Sequence, residues 1–97
     1  MGRLDDETVI VTGASRGLGR SMAKRFACEG ANTVLSARNE ADLEAVAAEA
    51  DGETLVAPAD VTDEAAVEAL VEATVDEYGE LTGLVNNAAV GLLSLYD

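Results

Sequence analysis

Residues Thr8 to Gly19 read Thr-Val-Ile-Val-Thr-Gly-Ala-Ser-Arg-Gly-Leu-Gly. Val9, Ile10 and Val11 are a β-branched apolar run that suits a buried strand. Glycines follow at Gly13, Gly17 and Gly19, and from Leu18 onward the pattern becomes helical. A strand that runs through a glycine-rich turn into a helix N-terminus brings bare backbone N–H groups to one point. The helix dipole favours negative charge at that point. The stretch therefore predicts a nucleotide or dinucleotide phosphate site.

Outward from this stretch the elements alternate. A strand at Thr8 to Thr12 is followed by a helix from Leu18 to about Glu29, with Leu18, Met22 and Phe26 on one face and Gly30 as its stop. Asn32 to Ser36 is a second strand. Asn39 caps a helix of about Glu40 to Ala50, whose Leu43, Val46, Ala47 and Ala50 share a face. Glu53 to Ala57 is a third strand, which Pro58 ends. Thr62 caps a helix bearing Val67, Leu70, Val71, Thr74, Val75 and Tyr78 on one side and stopping near Gly79; Leu84 to Asn86 is a fourth strand. The order β-α-β-α-β-α-β with short, wholly apolar strands predicts an α/β fold. Its sheet is parallel and doubly wound, with helices on both faces, strand order 3-2-1-4 and an open edge at the fourth strand. Residues 1–97 form one domain, and the site is expected beyond the C-terminal ends of the strands, at the crevice where the strand order reverses.

Composition limits the function. The 97 residues carry 19 acidic and 6 basic side chains, a formal net charge of −13. All six basic residues lie between Arg3 and Arg38, and fifteen of the acids follow Arg38. Such a surface repels nucleic acid and anionic lipid, and its charge density matches adaptation to high salt. No apolar stretch approaches the roughly 18 residues of a membrane span, and the N-terminus lacks a signal-peptide pattern, so a cytoplasmic location is expected. The single cysteine, Cys28, reads as a small core residue rather than a reactive thiol. With no histidine, imidazole catalysis and histidine metal ligation are excluded, and no metal site is expected.

The glycine spacing is Gly-x-x-x-Gly-x-Gly rather than Gly-x-Gly-x-x-Gly. Thr12-Gly13-Ala14-Ser15-Arg16-Gly17-Leu18-Gly19 resembles the Thr-Gly-x-x-x-Gly-x-Gly turn of the short-chain dehydrogenase/reductase family. Asp60-Val61 resembles that family's Asp-Val after the third strand. Asn86-Asn87-Ala88-Ala89 resembles its Asn-Asn-Ala-Gly, with Ala89 in place of the usual glycine. The resemblance covers the whole chain but only the N-terminal, Rossmann-like half of the family's fold, the half that binds the cofactor. The family's catalytic serine and Tyr-x-x-x-Lys pair have no match. Tyr78 is followed four residues on by Thr82, Tyr96 is next to last, and Lys24, the one lysine, precedes both. No catalytic residue is assigned in this chain.

Gly13 permits the sharp turn, Gly17 lets backbone approach the cofactor, and Gly19 lets the helix pack close to the sheet. The Leu18 N–H is expected to point at the pyrophosphate. The resemblance implies further that Ser15 and Arg16 reach the adenine ribose and its 2′ substituent. It places Asp60 on the adenine amine, the Val61 N–H on a ring nitrogen, and Asn86, Asn87 and Ala88 along the adenosine edge. The extra methyl of Ala89 crowds the nicotinamide side. Asp60 has a rival role at the start of the acidic helix with Asp63 and Glu64.

Cofactor choice turns on Leu35-Ser36-Ala37-Arg38-Asn39. An NAD site places an acidic residue at the end of the second strand for the ribose 2′-OH. Ala37 stands there, followed by Arg38. With Arg16, Arg38 makes a two-arginine clamp for a 2′-phosphate, so NADP(H) is expected over NAD(H). The rival partners of Arg38 are Glu40 and Asp42. The chain thus reads as the N-terminal part of an NADP(H)-dependent oxidoreductase that passes hydride between nicotinamide and a carbonyl or hydroxyl compound. Homo-oligomers are left open for a full-length form. Two other readings stay open: a non-catalytic nucleotide-binding or regulatory module, and a truncated gene product without independent activity.

Overall fold

The computed structural model describes residues 6–15, 17–60 and 62–86, with Asn86 through its backbone only. Its elements are β1 (Thr8–Thr12), α1 (Gly17–Cys28), β2 (Asn32–Ser36), α2 (Glu40–Glu49), β3 (Thr54–Val56), α3 (Glu64–Tyr78) and β4 (Gly83–Asn86). The four strands are parallel in the order β3-β2-β1-β4. The expected architecture and strand order are therefore present.

Strand side chains alternate between two apolar layers. Val11 and Leu35 pack with Ala14, Ala23, Leu43 and Val46, the layer under α1 and α2. Ile10 and Val34 pack with Leu70 of α3 on the opposite face. The central strands β1 and β2 are thus buried on both sides, which explains their continuous apolar runs. At the reversal point between β1 and β4, the Thr12 hydroxyl donates to the Val85 carbonyl at 3.2 Å. Among the described residues β4 pairs only with β1, and Leu84 is half exposed.

The structure corrects several local expectations. The buried stripe of α1 is Gly19, Ala23 and Ala27, while Leu18 is 63% exposed. Small side chains let α1 lie close on the sheet, and this close seat turns the Leu18 position outward. Cys28, one step round from Ala27, is exposed rather than part of the core. After α1, Gly30 takes φ +102° and donates to the Ala27 carbonyl at 3.1 Å, while the Ala31 amide reaches the Phe26 carbonyl at 3.0 Å. This paired closure needs a left-handed residue at Gly30. Asn39 caps α2 as expected, its side chain accepting from the Asp42 amide at 3.1 Å.

The cap of α3 is Asp63, not Thr62: its carboxylate accepts from the Ala65 amide at 3.0 Å. Val75, expected on the packed face of α3, is 40% exposed. Pro58 does not end the pairing of the third strand with β2. Ala57 donates to the Leu35 carbonyl at 2.9 Å and Ala59 to the Ala37 carbonyl at 3.0 Å. In a parallel ladder, alternate residues donate to a given neighbour, and Pro58 falls at the position that is not asked to. At the opposite end of the sheet, the Tyr78 hydroxyl donates to Glu53 Oε2 at 3.2 Å, tying α3 to the start of β3. No helix among the described residues is long and apolar enough to cross a membrane.

Candidate functional site

The site is assembled at the C-terminal ends of β1, β2 and β3, where two corners face the same side of the sheet. The first corner is the turn between β1 and α1. Gly13 leaves the strand with φ +63°, a backbone state that glycine adopts without penalty. Ala14 is buried and its amide donates to the Ser36 carbonyl at 3.1 Å, which pins the turn to the end of β2. Gly17 opens α1 with φ +61°, and a Cβ placed on it would meet nothing within 4 Å. Gly17 is exposed, and the space in front of it is open, so its backbone can be approached from outside. Gly19 is buried against the sheet.

The electrostatics of this corner differ from those of the other helix starts. The first turns of α2 and α3 contain acidic residues, Glu40 and Asp42 in one and Glu64 in the other, while α1 has none. In a chain of net charge −13, the start of α1 keeps the partial positive charge of its amides for an external anion. Further along α1, Arg20 and Lys24 both pair with Glu49, Lys24 at 3.4 Å, and so fasten α1 to α2.

The second corner joins the ends of β2 and β3. The ladder that continues through Ala57 and Ala59 brings Arg38 beside Asp60, with Arg38 Nη2 3.6 Å from Asp60 Oδ1. The ion-pair partner of Arg38 is thus Asp60, another expected site residue, rather than Glu40 or Asp42. The same Asp60 oxygen accepts from the Thr62 amide at 2.9 Å and from the Thr62 hydroxyl at 2.6 Å. These two bonds, and behind them the Arg38 charge, hold the Asp60 carboxyl below the usual carboxylate range. Asp63 rather than Asp60 caps α3. Asp60 also forms the turn that enters the helix, since its carbonyl accepts from the Asp63 amide at 3.0 Å and its carboxylate takes Thr62, so the rival role at the helix start stands beside the site role.

Two polar residues at the site were missed in the sequence. Ser36 is fully buried at the end of β2, and its hydroxyl has no hydrogen-bond partner among the described residues. A buried hydroxyl without a partner is costly, and this one lies beside the glycine turn. Its only sequence signal is a hydroxyl ending an apolar strand. Thr62 could have been found from Asp60-x-Thr62, the spacing of an Asx-type turn.

Ser15 is part of the turn and half-buried, and Leu18 is exposed next to Gly17. The backbone of Asn86 pairs with Thr12 in the ladder beside the glycine turn. Arg16, Val61, Asn87, Ala88 and Ala89 lie outside the described residues, as does Tyr96. The open space at Gly17 and the acid-free start of α1 fit a phosphate-bearing nucleotide; the Ser36 hydroxyl is sealed from the surface and takes no part in that fit.

Comparison with known proteins agrees with this geometry. The family model described as short chain dehydrogenase matches residues 7–95. Levodione reductase from Leifsonia aquatica is 43% identical over 93 residues, covering 91% of this chain and 35% of that protein. A hydroxysteroid dehydrogenase from Escherichia coli superposes with a TM-score of 0.84 at 33% identity, over 87% of this chain and 37% of that one. A 3-ketoacyl-(acyl-carrier-protein) reductase from Brucella melitensis, solved in complex with NADH, gives 0.78 at 41% identity, over 84% and 33%. The chain spans about a third of the length of these relatives. A glycine turn in the expected place, a sheet in the expected order and a family match over nearly every residue converge: the chain belongs to the short-chain dehydrogenase/reductase family of NAD(P)-using oxidoreductases.

Proposed function

We propose that this chain is the dinucleotide-binding portion of an NADP(H)-dependent oxidoreductase acting on a carbonyl or hydroxyl compound. The observation that carries the reading is the unobstructed backbone at Gly17, at the start of an acid-free first turn. Gly13, Ser15, Gly17, Leu18 and Gly19 would hold the diphosphate side, and Arg38 and Asp60 the adenosine side. Arg16, Val61, Asn86 and Ala88 complete the set by their motif positions. When bound, the nicotinamide supplies or accepts the hydride; the residues of this chain bind and orient the dinucleotide. Preference for NADP(H) is supported by Ala37 where an acidic residue would serve a 2′-hydroxyl, and by a neighbouring Arg38 whose side chain is 76% exposed. The acidic surface supports a protein that works at high salt.

The test is titration of the purified chain with NADPH and NADH in molar KCl, followed by nicotinamide fluorescence. Tighter binding of NADPH is expected. Equal affinity would remove the cofactor preference, and no binding of either would remove the functional reading.

A further inference from the structure

The guanidinium of Arg38 already has an anion beside it. Asp60 Oδ1 lies 3.6 Å from Arg38 Nη2 and is fixed in place by two hydrogen bonds from Thr62. We propose that Asp60 is a specificity-setting residue that competes with the cofactor's 2′-phosphate for Arg38, so that this chain discriminates between NADP(H) and NAD(H) less strongly than Arg38 alone would allow. The inference rests on the cofactor reading above and deepens it.

The geometry supports competition rather than simple support. Ladder bonds from Ala57 to Leu35 and from Ala59 to Ala37 carry the two backbones side by side up to this pair. Main chain thus brings the two residues within reach of each other, and the exposed Arg38 side chain makes the final approach. A cofactor with a free 2′-hydroxyl leaves the pair intact. A cofactor with a 2′-phosphate brings a second anion to the same guanidinium, which must then be shared or released against carboxylate–phosphate repulsion. Asp60 is a weak enough competitor to yield. The contact is at the outer limit of an ion pair, both side chains are substantially exposed, and its oxygen is already engaged by Thr62. Thr62 thus moderates the competition: with its hydroxyl gone, Asp60 turns more of its charge to Arg38.

The experiment measures the ratio of NADH to NADPH dissociation constants for the wild type, Asp60→Asn, Thr62→Val, Arg38→Ala and the Arg38→Ala/Asp60→Asn double variant. Melting curves confirm that each is folded. Any contact of Asp60 with the adenine, common to both cofactors, cancels in the ratio. Asp60→Asn should raise the ratio about two- to fivefold, the span expected for loss of one exposed ion pair. Thr62→Val should lower it. In the Arg38→Ala background, Asp60→Asn should raise the ratio clearly less, because the coupling through the guanidinium is gone and only direct carboxylate–phosphate repulsion remains. A ratio that Asp60→Asn leaves unchanged or lowers, while Arg38→Ala lowers it, overturns this inference and leaves the cofactor reading standing. An equal rise in the Arg38→Ala background also overturns it, since the effect would then be direct repulsion. A ratio that Arg38→Ala itself fails to lower overturns both.

Discussion

The Ala59 amide donates to the Ala37 carbonyl at 3.0 Å, one residue past Pro58. This bond extends β2–β3 pairing beyond the last regular strand residue and delivers Ala37 and Asp60 to the same end of the sheet. Ala37 is half-buried and packs against the Val11 and Leu35 layer, and in the cofactor reading proposed above it takes the position of an acidic residue that would meet a 2′-hydroxyl. Ala37→Asp should weaken NADPH binding by about 1.5–3 kcal/mol, the scale of a charged hydrogen bond lost and a repulsion gained. NADH binding should hold or improve. Isothermal titration of both cofactors checks this, and unchanged NADPH affinity would refute the role of the Ala37–Arg38 corner.

Gly17→Ala separates room from strain. The protein offers open space to the new methyl, so the cost to the free chain is that of an L-residue at φ +61°, about 1–2 kcal/mol. The methyl would stand where the dinucleotide is proposed to approach the backbone, and NADPH affinity should drop by at least about tenfold, more than the stability loss alone predicts. A thermal melt paired with a binding titration gives both numbers. Normal affinity in a folded variant would show that nothing approaches Gly17.

Tyr78 reports on the far end of the sheet. Burial, then the charge of Glu53, pushes its hydroxyl up to about 12 from an ordinary value near 10. The folded state therefore holds this proton more tightly than the unfolded state does. The stabilisation is complete below about pH 10 and is lost as pH rises through about 12. Melting temperature should fall across that window, and Tyr78→Phe should flatten the fall. A Tyr78→Phe variant with the same slope as wild type would assign the alkaline loss to other groups.

The charge distribution predicts a salt requirement. After Arg38 the chain carries fifteen acidic residues and no lysine or arginine. Their repulsion acts over a screening length of about 10 Å at 0.1 M salt, which shrinks to about 3 Å at 1 M. Melting temperature should rise by about 5–10 °C from low to molar KCl, equivalent to one or two kcal/mol in a domain of this size. A melt insensitive to KCl would mean that these carboxylates are spaced well enough not to matter.

Much of this molecule can be read from local pattern. The apolar run Val9 to Val11, the stop at Gly30, the cap at Asn39 and the stop near Gly79 each act through a few neighbouring residues, and the structure places all four as read. The strand order 3-2-1-4 follows from the same pattern once crossovers are taken as right-handed. The differences share a cause. Large apolar side chains normally drive burial, which predicts Leu18 on the packed face, yet close helix–sheet contact selects the small stripe Gly19, Ala23 and Ala27. Thr62 stands where a cap is expected, yet its hydroxyl is taken by Asp60 and the cap passes to Asp63.

The sequence by itself determined the alternation of strands and helices, the bends that need glycine and the family to which the chain belongs, since each depends on chemistry within a turn or two. Only the tertiary structure decided that Arg38 meets Asp60, that Ser36 is buried with no hydroxyl partner among the described residues, and that the pairing of β2 carries on past a proline. Those relationships join residues on different strands. Their distances are set by ladder register and by how closely α1 sits on the sheet, and no local pattern encodes either.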